Sequence, residues 1–594
     1  VSVAAERLAG RAGTDDSRGT GRPERLRSNS VELIRKTADT LDAENAVVCL
    51  SGGVDSATTA ALAVEAVGAS EVTALIMPTD TTDERHTSDA RSFADSLGVD
   101  HVTVPLEPAL DVFKRYVAPR IAADGDAVAV GNLAARLRMA CAHLVADASN
   151  GMVVGTSNRT ERLLGYFTKY GDDAADLHPL GEYDKTAVRA LATSLDVPPS
   201  IRSRPPTAGF WSGQTDESDL GASYETLDGV LETLVDADPD APPAPIDETA
   251  GVEHETVTRL LDRVRRTEHK RERPPVPSRR VEDTPVGTGD AGARSPVGGD
   301  RRASAIAVRA VDLVQSRVDT ADAEGVVLDL GAGRESSVAA AVAVEALGPG
   351  RVRGLHLPCH KAAGIADPAP QSIADDLEIE LDRVTIRPLV TELEAALPVR
   401  VTERAGAADL AEFVSRVRTA CRYYVANADD RLVVGTTNRT DALLGRVTRY
   451  GDAAADLRPL GTTYASELAA IGRQLDPSVA VPDLSERRDR GRSGATSPDD
   501  DREAPEGLTA DTLDAILARL VDRDLGIGST AAAVDSDRET VRRIAARHVA
   551  SERTRARPPT TDGDDARSYF HELELKIDPP TPGSPSRTEP NADD

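Results

Sequence analysis

Four apolar residues, Val47-Val48-Cys49-Leu50, run into Ser51-Gly52-Gly53-Val54-Asp55-Ser56 and then into an alanine-rich stretch from Ala57 to Val67. An unbroken apolar quartet fits a strand buried on both faces of a parallel sheet, and the longer run after it fits a buried helix. The alternation continues. Val72 to Met77 is strand-like and stops at Pro78, Thr87 to Leu97 has helical spacing, and His101 to Val104 is again a strand. Gly131 to Ala146 then reads as a helix and Met152 to Gly155 as a strand. Upstream, Val31 to Leu41 has a helical period, with Ser30 as its N-cap. Strands alternating with helices predict an α/β fold built on a doubly wound parallel sheet, with ligands at the carboxyl ends of the strands.

The pattern occurs twice. Val47 to Gly68 lines up with Val327 to Gly348, Val153 to Thr160 with Val433 to Thr440, and Tyr170-Gly171-Asp172 with Tyr450-Gly451-Asp452, all at one offset of 280 positions. Two tandem copies of one domain follow. We expect a flexible arm over 1–28, a first domain over 29–275, a linker over 276–302, a second domain over 303–560 and a largely disordered tail over 561–594. Pro274 to Arg302 and Arg487 to Glu506 have linker composition, and Tyr569 to Ile577 reads as an added strand.

Charge narrows the class. The chain of 594 residues carries a formal net charge of −29, and its basic residues are almost all arginine. Its lysines are Lys36, Lys114, Lys169, Lys185, Lys270, Lys361 and Lys576. Such a surface resembles that of a halophile's cytoplasmic protein and argues against nucleic-acid or anionic-membrane partners. The cysteines, Cys49, Cys141, Cys359 and Cys421, have no metal spacing and read as buried thiols. No apolar run is long enough to span a bilayer, and the first 28 residues lack a signal-peptide core.

The turn after the first strand has the chemistry of a phosphate cradle. Its glycines let backbone N–H groups close round an anion, a helix N-terminus adds partial positive charge, and the serines add donors. Asp55 beside phosphates needs a cation between, which makes it a Mg²⁺ ligand. The loop is neither a Walker loop nor Gly-x-Gly-x-x-Gly, and a plain helix-capping turn is the bland alternative. Ser-Gly-Gly-x-Asp-Ser resembles the pyrophosphate loop of the N-type ATP pyrophosphatases. Alone, Glu161 reads as a surface carboxylate, and Arg136 and Arg138 read as a solvated helix face.

Seven further segments follow in order. They are Asn132 to Met139, Gly155 to Glu161, Gly165 to Asp176, Lys185, Pro206-Thr207-Ala208, Gly213 to Glu217 and His269-Lys270-Arg271. With the loop they resemble the motif set of ammonia-dependent NAD synthetases over residues 30 to 275. The resemblance implies an adenine-nucleotide alpha-hydrolase-like fold, normally a homodimer, that adenylates deamido-NAD with ATP and Mg²⁺ and then admits ammonia. It implies ATP contacts from Ser51, Gly52, Gly53, Val54, Asp55, Ser56, Thr156, Lys185 and Thr207. It implies Mg²⁺ on Asp55 and Glu161, and catalytic roles for Asp55, Glu161 and Lys185. Arg136, Lys169, Asp176, His269 and Lys270 would hold deamido-NAD, partly across the dimer interface. Arg204 departs from the family's usual lysine. The extra length is spent on the repeat and not on a glutamine-hydrolysing domain, so free ammonia, or ammonia from a separate protein, is the expected nitrogen donor.

In the second copy the loop reads Gly331-Ala332-Gly333-Arg334-Glu335-Ser336, and Lys185, Glu161 and Lys169 correspond to Ala465, Asp441 and Arg449. Core positions persist while ligand positions decay. The second copy is therefore expected to be a pseudo-subunit that pairs with the first within the chain. The competing classes are another adenylating amidoligase, GMP synthetase-like or tRNA-modifying, and a non-catalytic nucleotide-binding scaffold.

Overall fold

The computed structural model describes residues 23–121, 125–235, 254–278, 300–359, 368–475, 508–555 and 558–561. The first copy opens with helix α1 (Pro23–Leu41), strand β1 (Asn45–Cys49), helix α2 (Val54–Val67) and strand β2 (Val72–Ile76). Helix α3 (Glu84–Leu97), strand β3 (Asp100–Thr103), helix α4 (Ala127–Ala148) and strand β4 (Gly151–Val154) follow. Three helices important to the site come next: α5 (Arg159–Leu163), α6 (Lys185–Ser194) and α7 (Tyr224–Val235). All four strands are parallel, in the order β3-β2-β1-β4. The chain winds outward through β2 and β3 on one side of β1 and returns on the other side as β4. A crevice therefore opens between the carboxyl ends of β1 and β4, the switch point at which such sheets take ligands.

The second copy repeats this with α8 (Asp300–Ala321), β5 (Gly325–Asp329), α9 (Arg334–Leu347), β6 (Val352–His356), β7 (Glu380–Arg383), α10 (Ala407–Ala428) and β8 (Arg431–Val433). Its sheet order, β7-β6-β5-β8, is that of the first. The predicted doubly wound parallel fold in two tandem copies is what the structure contains.

The amino-terminal expectation needs correction. Helix α1 begins at Pro23, inside the segment expected to be an arm, and Leu26, Ser30, Val31 and Ile34 are all buried along it. Ser30 is not an N-cap but an interior position whose hydroxyl donates to the Pro179 carbonyl (2.9 Å). Similarly, α8 starts at Asp300, within the expected linker. The stretch Arg487 to Glu506, the expected strand Tyr569 to Ile577 and most of the tail lie outside the described residues.

Each sheet has an outer core under its own helices and an inner face turned toward the other copy. Leu133, Leu137, Cys141 and Leu144 of α4 share one apolar cluster with Phe413, Val417, Cys421 and Tyr424 of α10 and its surroundings. Phe113 meets Tyr424 edge-on at 4.7 Å between ring centroids. The segments after each copy cross to the other: Arg458 N–H donates to the Pro275 carbonyl (2.9 Å), and His178 N–H donates to the Pro559 carbonyl (3.0 Å). All four cysteines are free, and burial pushes the Cys49 and Cys141 thiols up to about 12.

Candidate functional site

The cradle sits at the carboxyl end of β1. Gly52 has φ +80°, and a Cβ there would lie 2.4 Å from the His86 carbonyl oxygen, so only glycine fits the turn. The hydroxyls of Ser51 and Ser56 are 3.1 Å apart, the Ser56 hydroxyl donates to the Gly53 carbonyl (3.0 Å), and no side chain caps the start of α2. Val54 is the first residue of that helix and is buried. Arg204, the departure noted in the sequence, donates to the Gly52 carbonyl (2.7 Å) and pairs with Asp89.

Across the crevice, the loop after β4 carries Thr156 and leads to α5, where Asn158 caps the helix by accepting from Glu161 N–H (3.0 Å). Asn158 Nδ2 also donates to Asp55 Oδ1 (3.0 Å), linking the two sides. Lys185, the first residue of α6, has a side chain only 2% exposed. Its Nζ lies 2.5 Å from Asp55 Oδ2 and 2.8 Å from Glu161 Oε1. Burial would lower the ammonium's pKa, but the two carboxylates outweigh it and raise it. Burial likewise pushes the Glu161 carboxyl up to about 7, with Lys185 opposing and Asp55 reinforcing the shift.

Asp55, Glu161 and Lys185 are thus brought together beside the cradle. Thr207 lies on the neighbouring loop, where its hydroxyl accepts from Gly209 N–H (3.0 Å). Two groups that sequence reasoning assigned no role complete the cluster. Tyr224 OH lies 3.2 Å from Glu161 Oε1 and donates to Asp216 Oδ2 (2.8 Å), and the Lys185 ammonium sits 4.9 Å from the Tyr224 ring centroid. Asp216 stood within a quoted motif, but its partner Tyr224 had no signal.

The remaining residues of the set divide into two groups along the seam between copies. Lys169 Nζ pairs with Asp456 (2.8 Å) at the end of β8, and Arg136 lies over the Tyr423 ring (4.5 Å) and donates to the Lys169 carbonyl (3.1 Å). His269 accompanies them: burial lowers its pKa first, then the neighbouring Lys169. Lys270 donates to the carbonyls of Gly165 (2.8 Å) and Phe167 (2.9 Å), and burial lowers its pKa to about 8. Asp176 is elsewhere. It anchors to Val153 N–H at the end of β4 (2.9 Å) and is met by Arg449 (2.7 Å) and Arg553 (2.8 Å) of the second copy. The one dinucleotide set of the sequence reading is therefore split between the two copies' strand ends.

Hard oxygen donors at Asp55 and Glu161, beside a phosphate-binding turn, fit a Mg²⁺ ion that also takes phosphate oxygens. Among the described residues no group of three or more His, Cys, Asp or Glu side chains could hold a metal by itself.

The second crevice keeps the framework but not the lysine. Asn438 again caps its helix by accepting from Asp441 N–H (3.0 Å). Ala465 N–H donates to Thr440 Oγ1 (2.9 Å), as Lys185 N–H does to Thr160 (3.1 Å), so Ala465 stands in the lysine's place. Burial and the nearby Glu335 raise the Asp441 carboxyl to about 6, with no lysine between the two.

The NAD synthase family model matches residues 26–274 and again 306–558. An NH(3)-dependent NAD(+) synthetase of Methanosarcina mazei is 39% identical over 255 residues, 43% of this chain and 98% of that protein. One from Methanosarcina acetivorans is 40% identical over the same shares. A solved NMN synthetase from Francisella tularensis is 34% identical with a TM-score of 0.37, over 42% of this chain and 96% of that one. Matched twice along its length, and covering these relatives almost end to end, the chain belongs to the NAD synthase family.

Proposed function

We propose that the chain is an ammonia-dependent NAD⁺ synthetase whose single competent ATP centre lies in the first copy. The observation that carries this is the Asp55–Lys185–Glu161 cluster beside the cradle, whose lysine position is alanine in the second copy. The substrates are ATP, deamido-NAD and ammonia. The cradle residues Ser51, Gly52, Gly53, Val54 and Ser56 receive the triphosphate, with Thr156 and Thr207 beside it. Lys185 offers its ammonium to phosphate oxygens. Asp55 and Glu161 would hold Mg²⁺, which when bound would supply positive charge to offset that of the departing pyrophosphate.

The nicotinate carboxylate attacks the α-phosphorus of ATP, pyrophosphate leaves, and an acyl adenylate remains. Ammonia then attacks the acyl carbon, a proton is lost, and AMP departs, giving NAD⁺. Cradle and cluster hold the leaving group in line while the buried lysine stays charged. Of the residues carried over for the dinucleotide, Arg136, Lys169, Asp176, His269 and Lys270, it is Asp176 that adjoins this centre, whereas Arg136, Lys169 and His269 gather by Asp456 at the second copy's strand end. Because Asp176 adjoins β4 and meets Arg449 and Arg553, the second copy borders the competent centre.

We read the two copies as pairing within the chain in place of a homodimer. The shared apolar cluster and the crossing segments at Pro275 and Pro559 support this. The acidic, lysine-poor composition supports a cytoplasmic protein suited to concentrated salt, and no described helix is long and apolar enough to cross a membrane. The test is incubation with ATP, Mg²⁺, ammonium and deamido-NAD. Equimolar NAD⁺ and AMP are expected, and absence of both overturns the reading.

A further inference from the structure

Tyr224 opens α7 in the first copy, and Ala510 opens the corresponding helix, Ala510–Leu517, in the second. The correspondence is fixed by hydrogen bonds that both copies retain. Thr160 Oγ1 donates to Asp228 (2.5 Å) and Thr440 Oγ1 donates to Asp514 (2.6 Å), while the backbone N–H groups of Thr186 and Ser466 each donate to the same aspartate's other oxygen (both 2.9 Å). The scaffold at this corner is therefore intact in both copies. Four side chains that face the crevice are not: Asp55, Glu161, Lys185 and Tyr224 become Glu335, Asp441, Ala465 and Ala510. A residue needed only to pack the fold would be expected to persist with Thr160 and Asp228. Tyr224 has instead been lost together with the groups around the lysine.

Its contacts say what it does there. The ring lies against the Lys185 ammonium at 4.9 Å, and the hydroxyl is 3.2 Å from Glu161 Oε1. Asp216 holds that hydroxyl (2.8 Å) and is held in turn by Tyr166 OH (3.0 Å), which also donates to Asp219 (2.9 Å). Asp216 N–H donates to the Pro206 carbonyl (3.0 Å), next to Thr207, and Gln214 bridges Asp219 (2.7 Å) and Phe210 N–H (2.6 Å). The network thus runs from the carboxylate cluster to the loop bearing Thr207. Partners that fix the rotamer of a metal-ligating carboxylate tune metal affinity without touching the metal.

We propose that Tyr224, oriented by Asp216, is a positioning residue that sets Glu161 and Lys185 for the metal–nucleotide complex and couples them to the Thr207 loop. This rests on reading Asp55 and Glu161 as metal ligands. Tyr224→Phe tests it, because the ring and its packing stay while the hydroxyl goes. The expected result is Mn²⁺ binding, measured by electron paramagnetic resonance with a non-hydrolysable ATP analogue, weakened about 10-fold. The Mg²⁺ concentration for half-maximal AMP formation should rise by a similar factor, with KM for deamido-NAD within about twofold and the thermal midpoint nearly unchanged. Mn²⁺ affinity equal to wild type overturns the proposal. So does a loss that falls equally on every parameter together with a lowered midpoint. If the wild type makes no NAD⁺, the functional reading fails, and the Mn²⁺ comparison still decides the role of Tyr224.

Discussion

Lys185 is the side chain on which the candidate site turns. An almost fully buried ammonium between two carboxylates is stable only because both are within hydrogen-bond reach, and removing one member of such a group commonly costs about 3–5 kcal/mol. The same cluster gives a pH signature. Glu161 is raised from 4.5 to about 7, so the folded protein binds that proton more tightly than the unfolded chain. Its contribution is complete below about pH 4.5 and is lost as pH rises through 7. In ligand-free protein the thermal midpoint is expected to decline over this window, and Glu161→Gln should flatten the decline. Asp176 has the opposite sign. Burial alone would raise it, but Arg553 and Arg449 hold it well below the usual carboxylate range. Its stabilisation is present above about pH 4 and disappears as acid protonates it. Asp176→Asn should lower stability near neutrality and blunt the acid loss. A midpoint for that variant equal to wild type at pH 7 would contradict the buried pairing.

The cradle was legible because its geometry is local: two glycines, two serines and an aspartate within six positions after a buried strand. Gly52→Ala is expected to cost about 1–3 kcal/mol through the left-handed backbone and the His86 contact, and to abolish ATP binding in calorimetry. Unchanged ATP affinity would contradict the cradle. Where sequence reasoning failed, the cause was distance or an early stop. Tyr224 could not be read because Glu161, the cluster carboxylate its hydroxyl reaches, is 63 positions away. Helix α1 was started too late because the polar composition around it outweighed Leu26, which lies one helical turn before Ser30 on the same buried face. Arg204 departs from the family's lysine in side-chain type, yet its guanidinium reaches the Gly52 carbonyl, a contact no pattern of residues displays.

At the scale of the whole molecule, the offset of 280 positions revealed the duplication, whereas the packing of α4 against α10 is seen only in the structure. Which charged residues would face which copy was not readable. Lys169 and Asp176 lie seven positions apart, but one pairs with Asp456 and the other with Arg449 and Arg553. The adenylating chemistry belongs, on the proposed function, to one of two homologous crevices. Asp55→Ala is therefore expected to abolish AMP formation, and Glu335→Ala to leave it within about twofold, since the second carboxylate faces no lysine. The most direct measurement is the number of ATP analogue molecules bound per chain in the presence of Mg²⁺, by equilibrium dialysis, for wild type and Asp55→Ala. One per wild-type chain and none in the variant is the expected result. Two per wild-type chain, or one retained after Asp55→Ala, would contradict a single competent centre in the first copy.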